Sequence, residues 1–156
     1  MGSHMKDGVL TKPQFYVSAL RDPAANALDR VQLIKSWVVD GKTQERVIDL
    51  ICAEGRKPDA AGRCPDLAVA IDMQSCAPEA GRGAGALTSV WQDDDYEAGQ
   101  KAFYYIRVLE VESCRWSRYD AVRAGLSASK NAPHTVSARI AERAWSSPIF
   151  VGGAGR

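Results

Sequence analysis

Hydrophobic and polar positions alternate along several short segments of the chain. In residues 30–39 every second side chain from Val31 to Val39 falls on one face, and β-branched residues dominate, which predicts a strand. Asp40-Gly41 and a second such segment, 44–53, follow, and this order indicates a hairpin. A two-residue turn would set Lys35 against Arg46, an unfavourable pair of like charges. We therefore expect a four-residue loop that sets Trp37 against Arg46 and Lys35 against Ile48.

The longest predicted strand covers residues 101–111 and is apolar on both faces. Phe103, Tyr105 and Arg107 share one face, and Tyr104 and Ile106 share the other. Strands of this kind are usually central in a sheet and covered on both sides. We therefore expect residues 101–111 at the centre of the fold.

The remaining pattern predicts further short strands separated by polar loops. We expect strands at 14–22, 66–72 and 87–92, one or two more in 135–151, and two helical turns at 117–126. Loops are predicted at 53–66, 77–86, 93–100 and 127–134. This organisation predicts a mainly β fold, an immunoglobulin- or fibronectin-like β-sandwich with one or two short helical segments. We assign 1–12 to a tag and leader, 13–151 to a single domain and 152–156 to a flexible tail.

Composition narrows the classes of partner. The 156 residues carry a formal net charge of +1, so no strong field favours nucleic acid. No run of about 18 apolar residues exists, so we expect no membrane span. The first five residues, MGSHM, are typical of an expression-tag remnant, which leaves His134 as the single native histidine.

Four cysteines are spaced widely: Cys52, Cys64, Cys76 and Cys114. None forms a C-x-x-C pair, and with one native histidine a zinc site would need all four thiolates. Free buried thiols are a second alternative, and two disulfides fit best. Of the three pairings that four cysteines allow, we favour Cys52–Cys64 and Cys76–Cys114. Such bonds would indicate a periplasmic or secreted protein.

Candidate catalytic groups are sparse. Asp93, Asp94 and Asp95 could supply oxygen ligands to calcium, but three adjacent aspartates do not point at one ion, so a solvated turn is the plainer interpretation. His134 would need a nucleophile or acid partner that the sequence does not indicate. The glycine pattern of 81–87 lacks the Lys-Ser/Thr ending of a phosphate loop. We assign no catalytic residue, no metal and no cofactor.

Aromatic and arginine side chains offer the remaining candidates. Exposed aromatics could stack on a sugar or a peptide, and for this role we single out Trp91, Arg115, Trp116 and Tyr119, although aromatics in strands are more often core. Arginines inside apolar runs need carboxylate partners, for which Asp49, Glu110 and Glu142 are available. The residues to which we give a structural role are Trp37, Tyr105, Arg107, Arg143 and Trp145.

Three stretches carry a family resemblance: 19–37 (ALRDPAANALDRVQLIKSW), 90–125 (VWQDDDYEAGQKAFYYIRVLEVESCRWSRYDAVRAG) and 142–150 (ERAWSSPIF). They resemble, in order, the C-terminal part of the domain of unknown function 3604 family. The matching positions are Asp29, Arg30, Trp37, Trp91, Phe103, Tyr104, Tyr105, Arg107, Glu110, Arg115, Trp116, Asp120, Glu142, Arg143, Trp145 and Pro148.

The resemblance implies a division of labour between two regions. Family members are usually exported bacterial proteins with an N-terminal PHP-like (polymerase and histidinol phosphatase) metal-dependent phosphoesterase domain. This chain resembles only the region on the C-terminal side of that domain. We therefore expect a non-catalytic accessory module whose partner is the N-terminal catalytic domain, and a stand-alone carbohydrate- or ligand-binding module as the alternative.

Overall fold

The computed structural model describes residues 2–5, 12–77, 79–126 and 136–152. Within them the chain forms the strands β1 (Ser3–Met5), β2 (Gln14–Leu20), β3 (Leu28–Val39), β4 (Lys42–Cys52), β5 (Ala86–Gln92), β6 (Ala102–Glu110), β7 (Ser113–Cys114), β8 (Arg139–Ile140), β9 (Arg143–Trp145) and β10 (Ile149–Val151), and the helix α1 (Trp116–Arg123). A 3₁₀ turn covers Ala53–Gly55. The predicted mainly β class is therefore confirmed.

A six-stranded sheet carries most of the fold. Its strands run in the order β1-β10-β6-β3-β4, and β9 pairs with β6 beside β10. β6 therefore lies between β3 and the C-terminal strands, which confirms its predicted central position. Its core face holds the fully buried Tyr104, whereas Phe103, Tyr105 and Arg107 on the other face are only partly covered.

A second layer consists of β2 and β5, which pair only with each other in the described chain. The strands alternate as the sequence predicts: Phe15, Val17 and Ala19 of β2 point into the core, and the residues between them are exposed. The main core lies between this ladder and the six-stranded sheet, where Phe15 packs on Tyr104 at a ring distance of 4.8 Å. An immunoglobulin-like strand arrangement stays a prediction.

The hairpin of β3 and β4 corrects the predicted loop length. Val39 pairs with Lys42, so Asp40 and Gly41 alone make the turn, and Lys35 stands opposite Arg46. Both turn residues have positive φ, 50° and 72°, which is the backbone of a type I′ turn. The four-residue loop was wrong because each cation has a carboxylate partner elsewhere in the chain, in the turn at 93–95.

The predicted strand at 66–72 is also wrong, since the structure has no regular strand there. The backbone instead bonds to the following loop: Glu79 N donates to Ala70 O and Asp72 N donates to Ala77 O. Ile71 is buried in a small second cluster with Cys76 and Cys114. The predicted one or two strands in 135–151 are three short strands in its described part, 136–151.

The start of β3 lies close to the backbone of the segment that comes before β5. Leu28 and Ala84 exchange backbone hydrogen bonds of 2.8 and 2.9 Å. Gly83 has φ of +82°, and a Cβ there would lie 2.6 Å from Val111 Cγ2 and 2.9 Å from the Leu28 carbonyl oxygen. Glycine is therefore required at this position on steric grounds.

Three further predictions concern the segment assigned to a tag and leader, the loop at 127–134 and the C-terminal tail. Ser3–Met5, in the segment assigned to a tag and leader, pair in parallel with β10. His134 and the whole of the predicted loop at 127–134 lie outside the described residues, as does the tail beyond residue 152.

Candidate functional site

The free edge of β2 is the first component of the site. Arg21 N donates to Gly85 O and Asp93 N donates to Pro13 O, in the same register as the β2–β5 ladder. The odd-numbered residues of β2 therefore form its hydrogen-bonded pairs. Consequently the backbone N–H and C=O groups of Tyr16, Ser18 and Leu20 point away from β5 and have no backbone partner in the described chain.

A second free edge lies on β9. Glu110 N donates to Glu142 O, and Ser146 N donates to Ile106 O, so the even-numbered residues of this segment bond to β6. The backbone groups of Arg143 and Trp145 point the other way. Among the residues that the structure describes, β9 therefore leaves unpaired backbone groups at one side of the six-stranded sheet, as β2 does in the two-stranded layer.

An open cleft of about 650 Å³ lies between these two edges, and we call it the β2–β9 cleft. One wall is 16–22, the other is 142–147, and the buried or half-buried Leu28, Ile106 and Val108 lie between them. Tyr16, Leu20 and Trp145 are 72%, 78% and 59% exposed. Large exposed apolar side chains grouped around a cleft mark an interaction surface.

One end of the cleft is charged. Asp22, Glu110 and Glu142 line it together with Arg21 and Arg143. In the described part of the chain none of the five forms an ion pair. Burial raises the pKa of Glu110, hydrogen bonds from Asn26 offset part of that rise, and the nearby charges of Glu142 and Asp22 add to it. This end therefore carries an excess of negative charge around a half-buried carboxylate.

A continuous series of hydrogen bonds between polar side chains lies on the face of the six-stranded sheet opposite Tyr104. Arg107 Nε donates to Gln32 Oε1 at 2.7 Å, and Gln32 Nε2 donates to Asp49 Oδ1 at 2.6 Å. The other oxygen of Asp49 accepts from the backbone N of Cys64 at 2.7 Å. Arg107 thus reaches Asp49, one of the carboxylates predicted as arginine partners, through the Gln32 amide rather than directly, and the series of hydrogen bonds ends at the backbone of Cys64.

The three adjacent aspartates serve three different cations. Lys35 Nζ lies 2.5 Å from Asp93, Arg46 lies 3.0 Å from Asp95, and Lys12 lies 3.0 Å from Asp94. Among the described residues no group of three or more His, Cys, Asp or Glu side chains is arranged to hold a metal ion. The turn therefore has a visible electrostatic role in neutralising cations.

Asp93 is the buried member of this turn. It also accepts a hydrogen bond from the Tyr104 hydroxyl at 2.7 Å. Burial, together with this bond to a carboxylate, raises the pKa of Tyr104 far above its usual range, so the phenol remains a donor. Lys35, Asp93 and Tyr104 therefore form a closed structural unit beside Trp37, whose ring centroid is 4.9 Å from Lys35 Nζ.

The four candidate binding residues are divided between two regions. Trp91, on β5, packs against the core beside Phe15, 6.2 Å away. Trp116 and Tyr119 lie on α1, where Trp116 is 68% exposed and Tyr119 packs against the second disulfide cluster. Arg115 donates to the Ser137 carbonyl. The structure thus presents Trp116 alone to solvent, and a stacking role stays a prediction.

The structural candidates are placed in both the sheet and the cleft. Trp37 packs against the core, and Tyr105 stacks on Phe103 at 6.3 Å. Arg143 and Trp145 line the cleft wall, so these two have an exposed position that the sequence did not indicate. The alternation of 14–20 could have indicated the opposite wall, because it leaves Tyr16 and Leu20 on the polar side.

Two disulfides join the four cysteines in the favoured pairing, Cys52–Cys64 and Cys76–Cys114. The first closes the loop that comes after β4. The second ties the segment before β5 to the end of the β7 strand. Such bonds are typical of proteins that fold outside the reducing cytosol. In the described residues no helix is long and apolar enough to cross a membrane.

Fold and cleft together define a mainly β, disulfide-linked domain with an open cleft between the edges of β2 and β9. The chain belongs to the family described as protein of unknown function (DUF3604), whose model matches residues 1–153. This confirms the resemblance that stretches 19–37, 90–125 and 142–150 indicate. No curated protein and no solved structure matches the chain.

Proposed function

We propose that this chain is a non-catalytic accessory module that binds another polypeptide domain through the β2–β9 cleft. The observation that carries the proposal is the cleft itself, with exposed Tyr16, Leu20 and Trp145 along two strand edges whose backbone groups have no backbone partner in the described part of the chain. Natural proteins usually protect such edges by charge, proline or a covering element. A covering domain provides that protection here.

Family membership supports the same conclusion. Each of the three stretches that match the family pattern contributes residues to the cleft: Leu20 and Asp22 from the first, Ile106 and Glu110 from the second, and Trp145 from the third. We propose that the covering domain is the PHP-like metal-dependent phosphoesterase domain that the family resemblance implies. We further propose export to the periplasm or the exterior, in line with the two disulfides.

The test supplies the N-terminal region of a full-length family protein as a separate polypeptide and measures its binding to this chain by calorimetry. We expect association, and we expect Leu20→Lys to weaken it by at least about tenfold, equivalent to about 1.4 kcal/mol. Val90→Lys is the matched control, because Val90 is an equally apolar, exposed residue of the same two-stranded layer that does not line the cleft.

An activity measurement accompanies the binding test. The isolated chain with manganese and bis(p-nitrophenyl) phosphate should hydrolyse no more substrate than the buffer with the metal. Metal-dependent turnover by the purified chain, or equal effects of Leu20→Lys and Val90→Lys on binding, would contradict the proposal.

A further inference from the structure

We propose that the occupant of the β2–β9 cleft is an extended segment of the partner polypeptide, which adds as a strand to the free edge of β2 and places a cationic side chain among Asp22, Glu110 and Glu142. The inference rests on the proposed function and specifies the chemistry of the partner. It is based on the backbone groups of β2 and on the charge at one end of the cleft.

The unpaired backbone groups select a strand as the occupant. Tyr16, Ser18 and Leu20 present alternating N–H and C=O groups along one edge. Only another extended backbone satisfies such a row at its own spacing, which is the basis of peptide recognition by strand addition. A helix or a small molecule would leave most of these groups to water.

The edge has none of the usual features that prevent strand addition. β2 spans seven residues, QFYVSAL, without proline or a charged side chain, and its ladder with β5 runs without a bulge. Edge strands in stable monomers are commonly short, charged, bulged or covered. A seven-residue uncharged edge beside a cleft whose centre is apolar is therefore suited to receive a partner strand.

Charge complementarity defines one end of the occupant. Three carboxylates and two guanidinium groups meet beside the end of β2, and none of them is ion-paired within the described ranges. Glu110 is half-buried there, with its two acidic neighbours raising its cost of ionisation. A lysine or arginine of the incoming strand near Asp22 would neutralise this excess, and that position also fixes the register of the strand.

The experiment uses two blocked nine-residue peptides in which valine and threonine alternate, one ending in arginine and one in glutamate. Each is titrated into the isotope-labelled chain and followed by NMR and amide hydrogen exchange. We expect the arginine peptide to bind at least about tenfold more tightly. We also expect it to slow exchange at the amides of Tyr16, Ser18 and Leu20.

Two cross-strand neighbours provide the matched variants. Ser18 and Thr88 stand opposite each other, both exposed, with their hydroxyls 3.5 Å apart. Ser18→Pro removes an N–H from the cleft edge, and Thr88→Pro removes one from the opposite edge of the same ladder. We expect Ser18→Pro to abolish peptide binding and Thr88→Pro to retain it. If a proline variant does not fold, an arginine peptide N-methylated at alternate residues tests the same hydrogen bonds and should not bind.

Several results would overturn the inference: no binding of either peptide at millimolar concentration, equal binding of both, or retained binding after N-methylation. A stable dimer of this chain with protected β2 amides would identify a second copy as the occupant and would also overturn it. If the catalytic region binds but Ser18→Pro has no effect, strand addition fails and the accessory role stands. If the peptide binds and the catalytic region does not, strand addition at β2 stands and the accessory role fails.

Discussion

Lys35 and Arg46 stand directly opposite each other on β3 and β4, and each is paired with its own aspartate from one turn, Asp93 and Asp95. Two cations in register would repel each other in an isolated hairpin. Because the turn after β5 brings both carboxylates to them, the close pairing is retained. One pair is buried and the other is exposed to solvent.

This difference predicts unequal effects of the two aspartates on stability. Asp93→Asn leaves the buried Lys35 ammonium without its carboxylate, so we expect a loss of about 3 kcal/mol in the free energy of unfolding. Asp95→Asn removes an exposed ion pair and should change it by less than about 0.5 kcal/mol. Urea unfolding of the two variants measures both values, and similar losses would show that Lys35 does not depend on Asp93.

Gly83 is predicted to tolerate no side chain. Gly83→Ala forces a Cβ against Val111, Ala27 and the Leu28 carbonyl, on top of the strain of a left-handed backbone. Gly81→Ala has the same kind of backbone, with φ of +76°, and open space around it. We expect the Gly83 variant to be less stable than the Gly81 variant by about 2 kcal/mol, measured by thermal unfolding. Equal melting temperatures would contradict this steric account.

Removal of each disulfide should destabilise the oxidised chain according to loop length. The bonds close loops of 12 and 38 residues. The chain-entropy model gives about 3 and about 4 kcal/mol for loops of these lengths. We therefore expect Cys76→Ala/Cys114→Ala to be less stable than Cys52→Ala/Cys64→Ala by about 1 kcal/mol. Fully reduced wild type is the reference, and a reversed order would show that native contacts outweigh loop entropy.

Glu110 is predicted to lower the stability of the folded protein as the pH rises. Its pKa is raised in the folded protein, mainly by burial, so the folded state holds its proton to higher pH than the unfolded chain does. Stability therefore falls as pH rises through the window that begins at the unfolded pKa. Glu110→Gln should raise the melting temperature at pH 7 and leave it unchanged at pH 3. A gain of equal size at both pH values would assign the effect to packing.

The local alternation of apolar and polar residues was sufficient to predict the strands. It was insufficient to predict the distant residues that neutralise their charged side chains. The alternation of β2, β3 and β6 depends on neighbouring residues, so the sequence predicts these strands. The turn length of the β3–β4 hairpin depends on Asp93 and Asp95, which lie more than 45 residues beyond Lys35 and Arg46 in the chain. A pairwise estimate of like-charge repulsion therefore predicts the wrong loop.

The candidate site was harder to predict for the same reason. The cleft places Tyr16 and Leu20 across from Arg143 and Trp145, residues separated by most of the chain. Trp91 has an aromatic ring that could stack on a ligand, but its side chain points toward the six-stranded sheet and packs against the core. The disulfide pairing was predictable, since a polar loop between Cys52 and Cys64 is short enough to be closed locally.

The opposed cations on β3 and β4 also affect which alignment of the two strands can form. Sliding β4 by two residues would preserve the buried and exposed faces, so hydrophobicity alone discriminates poorly between the two alignments. It would also carry Arg46 roughly 7 Å along the sheet, away from Asp95. The turn at 93–95 therefore has a carboxylate in place for Arg46 in one alignment of the hairpin, so the exposed ion pair adds a small preference for the native alignment over its neighbour.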